Sequence, residues 1–310
     1  MLSPRLPLLV LLTLASGCAS TLSTLQTAVP LERGQVQVSA GLGAYAPLGT
    51  ILDVGKLGKD QARRIKDHLV NGEDYSLTEE DQQALLGAGI ALAVEPPGVN
   101  YEFMARTGVA RNLDAGIRYS STSLRLDAKY RLLHGGEESP ELNRLARTSK
   151  DLAIGLAVSK QVFSGPLVEA LSFVHLDDFS RWDVEVPVYA SFDVGDAFKV
   201  YAAPKYVYSH TTIEQTLQQA EEQAGKIVNL PGTVPSKVTG HFWGSTFGVA
   251  VGYRYVHLFA ELTGGYTSSK ANVLGRERNL GGVTLYPAFG LAIKTDPPSV
   301  RAAPAAAPGT

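Results

Sequence analysis

The chain has 310 residues, 45% of them apolar, and its 28 basic and 30 acidic side chains leave a formal net charge of -2. That balance supplies no basic field for a phosphate backbone, so nucleic acid is set aside as a partner. A single cysteine excludes both a disulfide scaffold and a cysteine-based zinc site. Thirty-one glycines beside 13 tyrosines and 10 phenylalanines point instead to many short strands.

Arg5 opens a positively charged start, Leu6 to Leu14 follow as an apolar stretch too short to cross a bilayer as a helix, and Ala15, Ser16 and Gly17 lead to Cys18. The run Leu14-Ala15-Ser16-Gly17-Cys18 resembles the lipobox of a bacterial lipoprotein signal. The resemblance implies a signal peptide over 1–17, acylation of Cys18 and, with Ala19 rather than Asp after it, sorting to the outer membrane with lipid anchoring through Cys18. Residues 18–33 then read as a lipidated tether. The alternative is an ordinary secretory signal with an incidental cysteine.

From Gln35 onward the hydropathy alternates with period two, the strand period. Val99, Tyr101, Phe103, Ala105 and Val109 share one face against Asn100, Glu102, Arg106 and Gly108; Leu124, Leu126, Ala128, Tyr130 and Leu132 oppose Ser123, Arg125, Asp127, Lys129 and Arg131. The same pattern predicts strands near 34–46, 98–110, 113–121, 123–133, 151–163, 181–194, 197–211, 241–255, 257–269 and 282–295. Arg111-Asn112, Gly195-Asp196 and the Val256-His257 step read as tight turns, and they alternate with the long connections 47–97, 164–180, 212–240 and 270–281. Short turns at one end and long loops at the other are the habit of membrane barrels. The 134–150 connection breaks that rhythm, so eight or twelve strands are the alternatives to ten. In the loops, 59–70 and 79–94 read as helices, the second opened by a Ser76-x-x-Glu79 capping box, with 213–228 and a short turn at Ser139-Pro140-Glu141 as further helical stretches. The apolar run Ala84–Val94 is suited to the barrel mouth, to lipid, or to a strand extended above the membrane.

Alternation alone serves a soluble barrel with an apolar interior equally well. Aromatics near strand ends on the apolar face (Tyr119, Tyr130, Trp182, Tyr206, Tyr208, Tyr253, Tyr255 and Tyr266) suit interfacial girdles and favour lipid outside. The chain therefore resembles small bacterial outer-membrane β-barrel proteins, and the stretch from Thr27-Ala28 through Leu31 and Gly34 is similar to the tether of barrel-forming lipoproteins. The expected fold class is an all-β, antiparallel transmembrane barrel of about ten strands over 34–295 with short helices in its loops, followed by a disordered Pro/Ala tail over 296–310. The last strand departs from the common pattern, ending Lys294-Thr295 rather than in Phe.

On this register the lumen is lined by Glu102, Arg106, Asp114, Arg118, Arg125, Asp127, Lys129, Arg131, Asp183, Glu185, Lys199, Lys205, Arg254 and Glu261. Arg106, Arg118, Arg125, Lys129 and Arg131 would form the cationic wall of a narrow pore with slight anion preference; a closed network of opposite charges is the reading a barrel this small favours. No nucleophile, zinc or phosphate-binding motif occurs. Ser209-His210, His241 with Ser245, and His257 with Glu261 are the only parts available to a rim enzyme acting on lipid, and His175-x-Asp177-Asp178 reads as a solvated acidic turn. The sequence thus predicts a non-enzymatic outer-membrane barrel lipoprotein with a structural, binding or narrow-passage role, without cofactor or metal. Its expected partners are outer-membrane lipid and, through the external loops, lipopolysaccharide or envelope proteins. A rim enzyme and a soluble, lipid-tethered barrel holding a small ligand remain the alternatives.

Overall fold

The computed structural model describes residues 21–71, 91–92, 95–121, 123–136, 148–161, 180–195, 197–212, 237–273 and 276–296. The alternating segments form β1 (Val36–Pro47), β2 (Gly98–Ala110), β3 (Leu113–Ser120), β4 (Ser123–Gly136), β5 (Thr148–Gln161), β6 (Ser180–Val194), β7 (Phe198–Thr212), β8 (Lys237–Tyr253), β9 (Val256–Val273), β10 (Arg276–Asn279) and β11 (Gly282–Lys294). Each pairs antiparallel with its neighbour in sequence from β1 to β9, and β11 pairs with both β9 and β1, for example Phe289 with Ala260 and with Leu42. The result is a closed barrel of ten strands; β10 only lengthens the β9 hairpin at its rim.

Closure leaves no unpaired edge, which is what a sheet in hydrocarbon requires. The direction of the pleat settles the orientation that alternation left open. Phe289 is 66% exposed, Phe247 65% and Leu126 60%, while Glu102, Arg106 and Lys129 on the intervening positions are buried. A belt of large apolar side chains outside and charges inside is the arrangement of a transmembrane barrel. Tyr130, Trp182, Tyr208, Tyr253, Tyr255 and Tyr266 join that outer surface. The soluble-barrel alternative, with its apolar face inward, is excluded.

The tight connections gather at one end. Asn112, Gly195 and Arg254 adopt left-handed backbone conformations in the β2–β3, β6–β7 and β8–β9 turns, as short hairpins demand. The long connections leave from the other end, where α1 (Leu48–Asn71) follows β1 directly and begins earlier than the expected 59. No described helix is long and apolar enough to cross a membrane. The anomalous 134–150 connection is shortened by longer strands, since His134 pairs with Asp151 and Gly136 with Ser149. Most of the predicted 79–94 helix, the 213–228 helix, the Ser139 turn, the His175 motif and the C-terminal tail from residue 297 lie outside the described residues.

Residues 18–33 were expected to be a tether, and here the structure differs. Residues 21–33 run through the lumen from the loop end to the turn end. A turn closed by the Gln35 amide on the Glu32 carbonyl (2.8 Å), with Gly34 left-handed, then reverses the chain into β1. This segment has no period-two pattern. Its apolar residues instead recur every third position, as Leu22, Leu25, Ala28 and Leu31, and all four are buried.

Candidate functional site

The plugged lumen is where charge and chemistry concentrate. Leu22 packs with Tyr45, Val207, Phe242 and Tyr286 near the loop end, Leu25 with Tyr201, Phe259 and Ala292 farther down, and Ala28 with Tyr189 and Ala203. Room for Leu25 comes from Gly41 and Gly290, which face each other across the β1–β11 pair; a Cβ on either would meet the Leu25 methyls at 2.6 and 3.0 Å. At the turn end Gly108 donates to the Gln35 carbonyl (3.0 Å) and accepts from the Gly34 amide (2.9 Å). A side chain at 108 would collide with the Glu32 carbonyl.

The polar half of the fit is made by wall charges on plug backbone. Arg118 donates to the Ser23 and Thr24 carbonyls, both at 2.9 Å. Lys205 donates to the Leu22 carbonyl, and Lys129 to those of Thr27 (2.8 Å) and Val29 (3.2 Å). In the opposite sense, the Thr24 and Leu25 amides converge on the Glu261 carboxylate at 2.6 and 2.9 Å, and the Leu31 amide reaches Asp114 at 3.1 Å. Leu25 is left-handed, with φ of 46°, which turns successive amides toward one anion. Ser23 donates its hydroxyl to Glu102 at 2.6 Å, and the Gln26 amide group donates to the Tyr189 hydroxyl at 2.9 Å.

The wall charges also satisfy one another. Arg106 bridges Asp114 and Asp127, Arg118 meets Glu102 (3.1 Å), Arg125 meets Glu185 (2.6 Å), Lys129 lies 3.4 Å from Asp114, and Lys205 lies 3.8 Å from Glu185. Around the plug, Arg106, Arg118, Arg125, Lys129 and Lys205 thus lie among Glu102, Asp114, Asp127, Glu185 and Glu261, all buried, and Lys294 joins Lys129 beside Gln26 and Leu31. A buried charge without partners is expensive, and this network leaves each one placed.

The remaining sequence candidates fall elsewhere. Lys199 pairs with Asp193, and half-buried Arg131 reaches Asp151 (3.4 Å) and Asn112 (2.7 Å), both near the turn end. Asp183 is half-buried at the loop end, where Arg181 donates to it at 2.9 Å. Arg254 is a correction: β8 stops at Tyr253, so Arg254 sits exposed in the turn with φ of 54°, its guanidinium 5.2 Å from the Tyr253 ring centre. Parity assigned its face, but the strand ended one residue too soon. Sequence reasoning missed the plug, Asp151, Arg181 and the inward tyrosines 45, 201 and 286.

The histidine pairs do not assemble. Ser209 is buried in the lumen while His210 takes the outward parity, and Ser209 accepts from Arg181 at 3.0 Å. His241 lies on the outer surface, its Nδ1 2.7 Å from the Tyr206 hydroxyl and its ring stacked 5.5 Å from Trp243. Glu261 is committed to the plug and to the Tyr201 hydroxyl at 2.8 Å. Among the described residues no group of three or more His, Cys, Asp and Glu side chains could hold a metal.

Above the plug, Ala91, Glu95 and Pro96 are buried in the mouth, with the Ser269 hydroxyl 3.5 Å from Glu95. Of the sites open to the apolar 84–94 run, its one buried described residue, Ala91, takes the mouth. Burial holds the Glu95 carboxyl above the usual carboxylate range, against the opposing pull of Arg181.

No family model and no curated protein matches the chain. Among solved structures it is similar to the Neisserial surface protein A, with a TM-score of 0.30 and 12% identity over 84% of this chain and 96% of that one. It is also similar to Ail, the attachment invasion locus protein of Yersinia pestis, with a TM-score of 0.29 and 8% identity over 85% and 99%. The outer membrane protease OmpT from Escherichia coli aligns at a TM-score of 0.30 and 9% identity over 89% and 100%.

Proposed function

We propose that the protein is an outer-membrane β-barrel lipoprotein, acylated at Cys18, whose lumen is closed by its own N-terminal segment. Its role on this reading is structural or binding rather than catalytic or conductive: the barrel is a membrane-held platform for the loop-end segments. The observation that carries the reading is the seating of residues 21–33 in the lumen, where wall cations take plug carbonyls and wall carboxylates take plug amides. The apolar belt supports membrane residence, and the lipobox-like run before Cys18 supports export and acylation. Envelope proteins or lipopolysaccharide at the loop end are the partners this placement offers.

Planar-bilayer recording on the purified full chain tests the closed lumen. The expected result is a silent barrel, with folding confirmed by a mobility change between heated and unheated samples. Steady single-channel current through the unaltered protein would overturn the reading in favour of a pore.

A further inference from the structure

The path of the plug has a direction, and the direction fixes a side of the membrane. Leu22 lies against Tyr45 and Tyr286, near the loop ends of β1 and β11. Leu31 binds Asp114, next to the β2–β3 turn, and Gln35 reaches the Thr295 carbonyl at 3.0 Å where β11 ends. Followed toward lower numbers, the chain therefore climbs from the turn end to the loop end, and the first described residue, Thr21, is at the top of this climb.

The wall beside Thr21 is low. Thr21 and Leu22 share a small pocket with Arg118, Ser120, Ser123 and Arg125, and Ser120 and Ser123 flank the β3–β4 turn. With its 8 residues, β3 rises about 20 Å along the axis at the usual strand rise and tilt. Its counterpart across the barrel, β8, has 17 residues and rises about 43 Å by the same geometry. The β3–β4 turn is a low stretch of the loop-end rim: β2 runs on above Ser120 from Glu102 to Gly98, and β5 ends at Gln161, level with Ser123. Immediately below it on the outside lie Ile117, Leu124 and Leu126, all exposed toward lipid.

We infer that the barrel delivers the amino-terminal end of the mature chain to the loop side of the membrane, with the acyl group of Cys18 entering the outer leaflet over the low β3–β4 rim. This rests on the reading of Cys18 as the acylated first residue. Thr21 follows Cys18 by three residue steps, which span at most about 11 Å. The turn end lies about 20 Å away down β3, through a lumen the plug already fills, so the inner leaflet is out of reach. The lipid-facing side of the low turn is within reach. Barrel loops face outward from the cell and turns face the periplasm, so the anchor sits on the surface side, opposite to a tether that hangs the barrel from the periplasmic leaflet.

The test keeps Cys18, whose sulfur is blocked once acylated, and adds one cysteine at a time to the full chain. Ser20→Cys reports the amino-terminal end, Gly55→Cys in exposed α1 reports the loop end, and Arg111→Cys in the exposed β2–β3 turn reports the turn end. Intact cells are treated with a membrane-impermeant maleimide, before and after permeabilisation, and palmitate incorporation is followed in parallel. The expected result is labelling of Ser20→Cys in intact cells at the level of Gly55→Cys, while Arg111→Cys reacts only after permeabilisation. Labelling of Ser20→Cys only after permeabilisation, or in neither condition, overturns the inference. Reversed controls, with Arg111→Cys reacting in intact cells, overturn the outer-leaflet assignment. Absence of palmitate, with the unaltered chain itself reacting through Cys18, refutes acylation instead and is recognisable as that separate failure.

Discussion

Replacing Glu261 with leucine removes the anion on which the Thr24 and Leu25 amides converge, at 2.6 and 2.9 Å, and leaves both amides in the lumen without that acceptor. Leucine is close in volume, and the position faces Gly248 and Ala288 across the sheet, so the strand pairing can stay. A hydrogen bond to a charged group contributes about 1.5–3 kcal/mol, so the two together hold the plug by about 3–6 kcal/mol. Leu25 adds to the effect, because its left-handed backbone persists only while its surroundings enforce it. Even the lower figure shifts the ratio of seated to unseated plug by about two orders of magnitude, at roughly 1.4 kcal/mol per factor of ten. Amide hydrogen exchange followed by mass spectrometry reads this directly, since local opening sets the exchange rate. Peptides covering 21–33 in Glu261→Leu are expected to exchange about a hundredfold faster while β4 to β8 keep their protection. Unchanged protection of the plug in a folded barrel would refute the claim that wall charges on plug backbone hold the segment in place.

Gly108→Val drives a side chain into the Glu32 carbonyl, and neither backbone can yield. The reversal at residues 32–35 is expected to detach, seen as faster exchange at 31–36 and a lower yield of heat-modifiable barrel. Phe289→Arg puts a charge at the middle of β11 on the lipid face; unfolding by denaturant in lipid vesicles is expected to show a loss of about 2–4 kcal/mol. Glu95 makes the mouth pH-sensitive. Its pKa is raised in the folded state, chiefly by burial, with Tyr45, Arg181, Asp183 and Ser269 around it. The contribution it makes to docking of the 95–97 stretch is therefore complete below its ordinary 4.5 and is lost as pH rises through the raised value. Exchange of that stretch should accelerate over this window, and Glu95→Gln should flatten the dependence; equal pH dependence in both proteins would discard the assignment.

Most of the barrel was legible because one physical constraint acts on every strand: outward side chains meet lipid, inward ones meet a polar interior, and the pleat alternates them. Strand number and faces followed from that. Boundaries were weaker where the last residue decides the outcome, as at Arg254, whose parity suited the lumen although the turn had already begun. The 134–150 connection misled because Gly135 and Gly136, poor strand residues, are carried along by pairing with Lys150 and Ser149. Such pairing belongs to the assembled sheet and leaves little local signal.

The plug was illegible for a deeper reason. Between Thr21 and Leu31 it has no charged residue and no period of two, so it lacks both signals that exposed the strands. Its partners come from distant places, with Thr24 bound to a carboxylate 237 residues away and Lys205 reaching back 183 residues to Leu22. The wall reads mainly the backbone of this segment, and backbone groups are the same in every sequence. What the segment's own side chains add is the Ser23 and Gln26 hydrogen bonds and the three-residue spacing of Leu22, Leu25 and Ala28, each entering a different apolar cluster, with Leu31 buried one step farther on. The mixture of acids and bases around the plug gains its meaning from this arrangement. A neutral strand of peptide, with donors and acceptors in equal measure, is matched by a wall offering both signs, whereas a lumen built to pass anions would keep its cations unpaired and its axis clear.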